Sequence, residues 1–321
     1  MNWASRLMRE MGVDGLMIAL RDWSISINST SGRLNVDRGA LSNRAWVLQE
    51  RVLSRRIIHF AATHTYWECG KGVRCEQFTK LEPPPGRQRF VLDPYFPSRL
   101  EQSGYSHAID FVRFLFKKYS QCGLTVESDR DTAIYSLIKR IGHVLETEAR
   151  YGIISCFLSN LLLWKRTDEE KKAPVDYGDR MVPSWSWMAY SGGIDFISGA
   201  GRPLLVPESA DLGFADDGKA LIAKIRQFEN CRVEQRKREY AIFDDTKKVG
   251  FLWFDVADQI EFRHCVVVGV SGDEYWKKDL QRTYYILVVR EKPGWGGYER
   301  LGAGEVEAGY VSRECDAGKV W

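Results

Sequence analysis

The sequence predicts an α+β protein in which a helical segment is followed by an antiparallel, β-rich region. Apolar residues recur with helical spacing between residues 106 and 165, whereas from Val182 onward the apolar period is two. The chain has 321 residues, 44% of them hydrophobic, which allows a sizeable core in two domains or in one large domain with appendages. We expect three regions, at 1–100, 101–180 and 181–321.

Composition and charge exclude several classes of protein. The 46 basic and 43 acidic residues leave a net charge of +3, too balanced to favour a nucleic-acid or anionic-membrane partner. The longest apolar run, Tyr151–Trp164, is interrupted by polar residues, so no membrane span is predicted. The N-terminus lacks the pattern of a secretory signal. The seven Cys are an odd number without disulfide-like spacing, which favours an intracellular, cytoplasmic protein.

The first region is organised around one helix and one hairpin. Its N-terminal part shows little periodicity and includes a polar loop. An apolar stripe along Arg44–Leu53 then predicts a helix, capped by Ser42 or Asn43. The β-like runs Arg56–Ala61 and Thr65–Cys69 predict a hairpin, and a proline-rich loop follows it.

The two later regions differ in period. Helical spacing in the middle region predicts three helices, Ser106–Gln121, Ser128–Glu148 and Tyr151–Lys165. The third of these is apolar nearly all round, so we expect it to be buried. Alternation in the last region predicts seven strands, at 183–196, Ala220–Phe228, Glu239–Asp244, Lys248–Asp255, Ile260–Val270, Tyr284–Arg290 and Glu305–Val311. These strands predict an antiparallel sandwich or barrel.

The best catalytic candidate is Glu50, together with Trp46. On a helix, positions four residues apart lie on one face, so the indole and the carboxylate would stand side by side. A carboxylate held against an indole is partly desolvated, which suits it to acid, base or oxocarbenium-stabilising chemistry. The alternative is an ordinary ion pair on an exposed helix face. Its partner would be Arg44, Arg51 or Arg55.

One cluster has the residue types of a metal site. The order His59-x4-His64-x4-Cys69-x5-Cys75 could supply four zinc ligands, although no C-x2-C pair anchors it. Strand alternation would put His59 and His64 on opposite faces of a continuous strand. We therefore expect ordinary hairpin residues and no metal, with a zinc-binding module as the alternative.

Two tryptophans alternate in the segment Pro183–Trp187. Trp185 and Trp187 could form a ligand-stacking surface, but alternating Trp residues on a strand usually belong to the core. The sequence contains no GxxxxGK[ST], HExxH or GxSxG motif.

Several of these segments, taken together, resemble the fungal heterokaryon-incompatibility (HET) domain. Arg44–Ser54 is similar to the third sequence block of that family, an R-G/A-W-x-x-Q-E-x-L-S element. Further similar elements follow in the same order, namely His59-Phe60, Tyr66–Cys69, Tyr119-Ser120, Leu124-Thr125, Asp129-Arg130 with Ala133, Leu163-Trp164, Pro183–Trp187 and Glu299–Gly304. The first two blocks of the family have no counterpart here. The resemblance therefore implies a truncated, HET-type α/β remnant, followed by the helical and β-rich regions.

The resemblance implies a role in fungal non-self recognition, in which HET proteins trigger programmed cell death through protein partners or self-association. HET domains are also similar to Toll/interleukin-receptor (TIR) domains, some of which cleave NAD with a Glu in a W-x-x-x-E context. Trp46 and Glu50 match that spacing. The resemblance thus implies NAD as an alternative substrate, with Glu50 as the catalytic carboxylate and no resident cofactor.

Overall fold

The computed structural model divides the chain into two compact units, Met1–Arg99 and Leu100–Trp321. The structure describes residues 18–19, 43–54, 56–60, 65–69, 72–75, 80–81, 98–168, 173–197, 205–206, 211–236, 239–256, 263–271 and 282–321. The predicted helical and β-rich regions lie together in the second unit. Helices and an antiparallel sheet are both present, which confirms the α+β class.

The described residues of the first unit form the helix α1 (Ala45–Leu53) and a small sheet. Its elements are β1 (Ile18–Ala19), α1 (Ala45–Leu53), β2 (Arg56–Phe60), β3 (Thr65–Cys69), β4 (Gly72–Cys75) and β5 (Lys80–Leu81). The strands form a five-stranded sheet in the order β1-β2-β3-β4-β5, in which β1 and β2 are parallel and the remaining pairs are antiparallel. The predicted helix and hairpin are confirmed. The predicted cap is wrong, because Arg44 is the N-cap residue and its side chain makes no capping hydrogen bond.

The described helices that follow are α2 (Ser98–Gln102), which crosses the boundary between the two units, α3 (Tyr105–Ser120), α4 (Thr132–Val144) and α5 (Leu158–Leu161). The last two are shorter than the sequence predicts. Helix α3 confirms the predicted helix, with Gly104 as its N-cap residue. Helix α4 begins at Thr132, where the Asp131 side chain accepts a hydrogen bond from the Thr132 amide.

The helix predicted over Tyr151–Lys165 is wrong. The segment contains β7 (Ile153–Ile154), a 3₁₀ turn and the short helix α5, and it ends in β8 (Trp164–Arg166). Because most of this segment is buried, its apolar residues carry no helical period, and composition alone cannot separate a helix from buried irregular structure.

The described strands of the second unit form two small pairs and one large sheet. Two pairs stand apart from the main sheet, β6 (Ala149–Arg150) with β7, and β8 with β9 (Ile194–Phe196). The main sheet comprises β10 (Leu205–Val206), β11 (Gly213–Phe214), β12 (Leu221–Gln227), β13 (Arg232–Arg236), β14 (Glu239–Asp244), β15 (Lys247–Phe254), β16 (His264–Ser271), β17 (Thr283–Lys292), β18 (Gly297–Glu307) and β19 (Asp316–Val320).

Five strands of the main sheet form a closed ring. In this ring β16 pairs with β12, β12 with β19, β19 with β18, β18 with β17, and β17 with β16. Strands β15, β14 and β13 continue the sheet from β18. The predicted barrel-like, antiparallel architecture is therefore present, with one parallel contact between β18 and β19.

The core lies on both faces of the central strands. Alternate residues of β17, such as Ile286 and Val288, belong to one apolar cluster with Leu252 and Val306. The intervening Leu287 is also fully buried, so the sheet is covered on its second face as well. Among the described residues, no helix combines the length and apolar character needed to cross a membrane.

Thiol reactivity provides a test of this fold. Cys156 and Cys315 are exposed, whereas Cys122 and Cys265 are buried. Burial also raises the pKa of Cys265 to about 12, so the reactive thiolate is scarce as well as inaccessible. We expect a thiol reagent to modify Cys156 and Cys315 in the native protein, and Cys265 only after unfolding. Peptide mass spectrometry distinguishes the sites, and native labelling of Cys265 would contradict the fold.

Candidate functional site

Helix α1 carries the predicted catalytic pair on its exposed side. Ala45, Leu48 and Val52 are buried, whereas Trp46 retains 37% of its surface and Glu50 is exposed. Among the described residues, no ion pair engages Glu50, and Arg51 is buried instead. The partial desolvation that we expected for Glu50 is therefore not supplied by α1. The catalytic role of Trp46 and Glu50 stays a prediction.

The strand register separates the metal-like residues. It aligns position 59 with position 66, and position 66 with position 75, so these three positions share one face of the sheet. Position 69 is three residues from position 66, which places it on the other face. His64 lies outside the described residues. No group of three or more His, Cys, Asp or Glu residues able to hold a metal occurs in the part of the chain that the structure describes.

The segment Pro183–Trp187 is not the strand that its alternation predicts. It forms a turn followed by a 3₁₀ helix, Trp187–Ala189. Trp185 and Trp187 are nonetheless buried, with 0% and 1% of their surface exposed, so the core interpretation is confirmed. Because both indoles are covered by protein, neither can stack on a ligand.

The same segment holds the turn of the β6–β7 hairpin. Ser186 Oγ donates to the Tyr151 carbonyl at 2.6 Å, and Trp187 Nε1 donates to the Gly152 carbonyl at 3.1 Å. The Tyr151 ring lies edge-on to Trp185, with centroids 5.8 Å apart. These contacts with Trp185 and Trp187 therefore fix the position of Tyr151.

The turn is a conformation that tyrosine rarely adopts. Tyr151 and Gly152 connect the paired strands directly, with φ values of 44° and 76°. Positive φ at both central positions matches a type I′ turn, which usually carries Asn-Gly or Asp-Gly. A bulky residue in this region is strained and persists only when its surroundings hold it. Here the contacts with Trp185, Ser186 and Trp187 supply that restraint.

A cleft of about 700 Å³ opens between α4 and this hairpin. Helix α4 contributes one face, including Tyr135, Ile138 and Lys139, and the hairpin contributes Arg150 and Tyr151. Tyr135 is 53% exposed, whereas Ile138 is buried and gives the cleft an apolar base. Burial raises the pKa of Tyr151, so its phenol remains neutral at physiological pH.

The ionic groups of the cleft are mostly paired. Asp131 accepts from Arg180 at 2.8 Å, and Glu148 accepts from Arg150 at 2.6 Å. Lys139 Nζ lies 4.9 Å from the centroid of the Tyr135 ring. Among the described residues, Lys139 has no carboxylate within ion-pair distance. The cleft therefore combines two tyrosines with one uncompensated cation.

A buried ion pair joins the main sheet to β8. Arg300 Nε donates to Asp255 Oδ2 at 2.9 Å, and both side chains are almost completely buried. The other guanidinium nitrogens donate to the carbonyls of Leu162 and Trp164, each at 2.6 Å. The guanidinium also stacks on the Trp164 ring, 3.6 Å from its centroid. These contacts give every nitrogen of the buried guanidinium a hydrogen-bond partner.

Sequence reasoning missed both features of the second unit. Arg300 and Asp255 each stand beside apolar strand residues, and such an interruption could have indicated a buried ion pair. The cleft has no comparable signal, because its walls come from two elements that meet only in the folded chain.

Comparison with known proteins gives no further assignment. No protein-family profile, no curated protein and no solved structure matches this chain. A functional conclusion must therefore rest on the residues of this chain and on their geometry.

Proposed function

We propose that this chain is a HET-type cell-death protein of fungal non-self recognition. It acts in the cytoplasm by association with a protein partner or with a second copy. The observation that carries this proposal is the exposed face of α1, where Trp46 and Glu50 lie within the segment that resembles the third HET block. The face is held in place by the buried residues of the same helix.

The exposed side chains of α1 suit a role in protein association. A tryptophan that is 37% exposed on a rigid helix is a typical anchor of a protein interface. A neighbouring exposed carboxylate at the rim of such an interface helps to orient the partner but contributes little to the affinity. Catalysis would instead need the carboxylate to be desolvated and a substrate to be enclosed.

Cleavage of NAD by Glu50 is the second candidate. The observation in its favour is that α1 places Trp46 and Glu50 on one face at the spacing found in TIR-type enzymes. In that mechanism the carboxylate would stabilise an oxocarbenium-like transition state as nicotinamide leaves. The two candidates differ in whether position 50 needs a negative charge.

Inducible expression of the full chain in a filamentous fungus tests the proposal. We expect the unmodified chain to arrest growth and kill cells, and Trp46→Ala to abolish the effect because the interface loses its anchor. Glu50→Gln should retain most of the effect, since the amide keeps the shape of the side chain. Glu101→Gln removes another exposed carboxylate and should change nothing. Cell survival is scored at matched protein levels.

The same proteins are then assayed with NAD. If association is the mechanism, purified chain releases no nicotinamide above a heat-treated sample. If the unmodified chain releases nicotinamide, and Glu50→Gln abolishes both this release and the killing of cells, the mechanism is catalysis rather than association. Normal growth with the unmodified chain would contradict the proposed function.

A further inference from the structure

The cleft between α4 and the β6–β7 hairpin has the dimensions of a small-molecule site. Its volume of about 700 Å³ falls inside the range of roughly 300–1,000 Å³ found for ligand pockets. Its lining also follows the usual pattern, with an apolar base and a few polar groups at the edges. This inference is independent of the proposed role of α1, since all of its residues lie in the second unit.

The walls of the cleft are pre-formed. Ile138 and Lys139 follow Tyr135 by three and four residues, so α4 presents all three on one side. The opposite wall carries Tyr151 in a strained turn that Ser186 and Trp187 hold by hydrogen bonds. A rigid wall reduces the entropy lost when a ligand binds. Strain of this kind, where it is maintained by its surroundings, often marks a binding site.

The charges select the sign of the ligand. Arg180 neutralises Asp131 and Arg150 neutralises Glu148, which leaves Lys139 uncompensated among the described residues. An anionic ligand is therefore favoured over a cationic one. A nucleic acid is disfavoured, because its binding needs several phosphate contacts and the described residues of the cleft offer one unpaired cation.

The aromatic residues select the shape of the ligand. The ring of Tyr135 is half exposed and lies beside the Lys139 ammonium, at 4.9 Å from the centroid. A ligand ring can pack against tyrosine while an acidic substituent on the same ligand reaches the ammonium. Ile138 and Met188 provide the apolar surface beneath it.

We infer that this cleft binds a planar aromatic ligand with a single negative charge, with its ring against Tyr135 and Tyr151 and its anionic group at Lys139. Ligand chemistry of this class includes aromatic carboxylates and sulfonates. The assignment concerns binding, and it places no reacting group in the cleft.

Two fluorescent probes of similar shape test the inference. The first, 1-anilinonaphthalene-8-sulfonate, carries one sulfonate, whereas N-phenyl-1-naphthylamine has the same rings without the charge. Both are titrated into the full chain, and saturable fluorescence is recorded. We expect the anionic probe to bind at one site. Lys139→Gln should weaken its binding about fivefold, the effect of losing one partly exposed ion pair.

The variants localise the site. Lys139→Arg keeps the charge and should restore binding of the anionic probe, while Tyr135→Ala should weaken both probes. Arg140→Gln removes a cation from the next position, which is exposed and outside the cleft, and should weaken neither. Labelling of Cys265 checks that each variant remains folded.

Three outcomes would overturn the inference. The first is the absence of saturable binding of the anionic probe to the unmodified chain. The second is an equal effect of Lys139→Gln and Arg140→Gln, which would indicate a diffuse surface charge. The third is an equal loss of the charged and uncharged probes in Lys139→Gln. None of these outcomes depends on whether expression of the chain kills cells.

Discussion

Replacement of Asp255 by alanine should destabilise the second unit by about 3–5 kcal/mol, the cost of leaving a buried charge without its partner. Arg300 is fully buried, and Asp255 is its carboxylate partner at 2.9 Å. Burial lowers the pKa of Arg300, and Asp255 opposes that shift. An arginine stays charged inside a protein, so the variant cannot relieve the cost by losing a proton.

The measurement is denaturant unfolding, followed through labelling of Cys265, which reports on the second unit alone. The control is Glu299→Ala, which breaks the pair of Glu299 with Arg290 at 2.6 Å, where the arginine is 56% exposed. An exposed pair of this kind contributes less than about 1 kcal/mol. Equal effects of the two substitutions would contradict the role assigned to Asp255.

A double replacement at positions 255 and 300 distinguishes the cost of an unpaired buried charge from the cost of altered packing. If Asp255→Leu and Arg300→Met are combined, neither charge of this pair remains and most of the lost stability should return. Arg300→Met will also lose the hydrogen bonds to the Leu162 and Trp164 carbonyls, so recovery should stop short of the unmodified protein. A double variant as unstable as Asp255→Ala would assign the effect to packing instead.

Gly152→Ala should also be strongly destabilising, with an expected cost of about 3–5 kcal/mol from strain, overpacking and a lost hydrogen bond. The backbone of Gly152 has φ of 76°, and an added Cβ would lie 2.4 Å from Trp187 Nε1. Trp187 is 1% exposed and cannot move aside without disturbing the core. The same shift would break its bond to the Gly152 carbonyl.

Gly178 is the matched control for this substitution. It also has positive φ, at 61°, but no atom beyond the adjacent residues lies within 4 Å of the position that a Cβ would take. Gly178→Ala should therefore cost only the backbone term of about 1–2 kcal/mol. The difference between the two variants, measured by denaturant unfolding, isolates the clash with the indole. Equal costs would show that backbone conformation alone requires glycine at position 152.

Gly152→Ala should also alter the cleft. The turn carries Tyr151, so displacement of the hairpin should weaken both fluorescent probes, whereas Gly178→Ala should not. Unchanged probe binding in a folded Gly152→Ala variant would show that the cleft does not depend on the contacts of Trp187 with the hairpin turn.

Sequence reasoning succeeded where the determining interactions are local. The helix α1, the β2–β3 hairpin and strands such as Glu239–Asp244 follow from apolar spacing within each segment. It failed over Tyr151–Lys165 and Pro183–Trp187, where most side chains are buried. Burial on all sides removes the contrast between apolar and polar faces on which periodicity depends.

The amino-acid sequence by itself determined the α+β class, the switch from helical to alternating period, and the position of Trp46 and Glu50 on one face of α1. These properties depend on residues close together in the chain. Only the tertiary structure decided that Glu50 is exposed, that Arg300 is paired with Asp255, and that α4 and the β6–β7 hairpin enclose a cleft. Each of these properties depends on which distant segments meet, and that is set by packing of the whole core rather than by any local pattern.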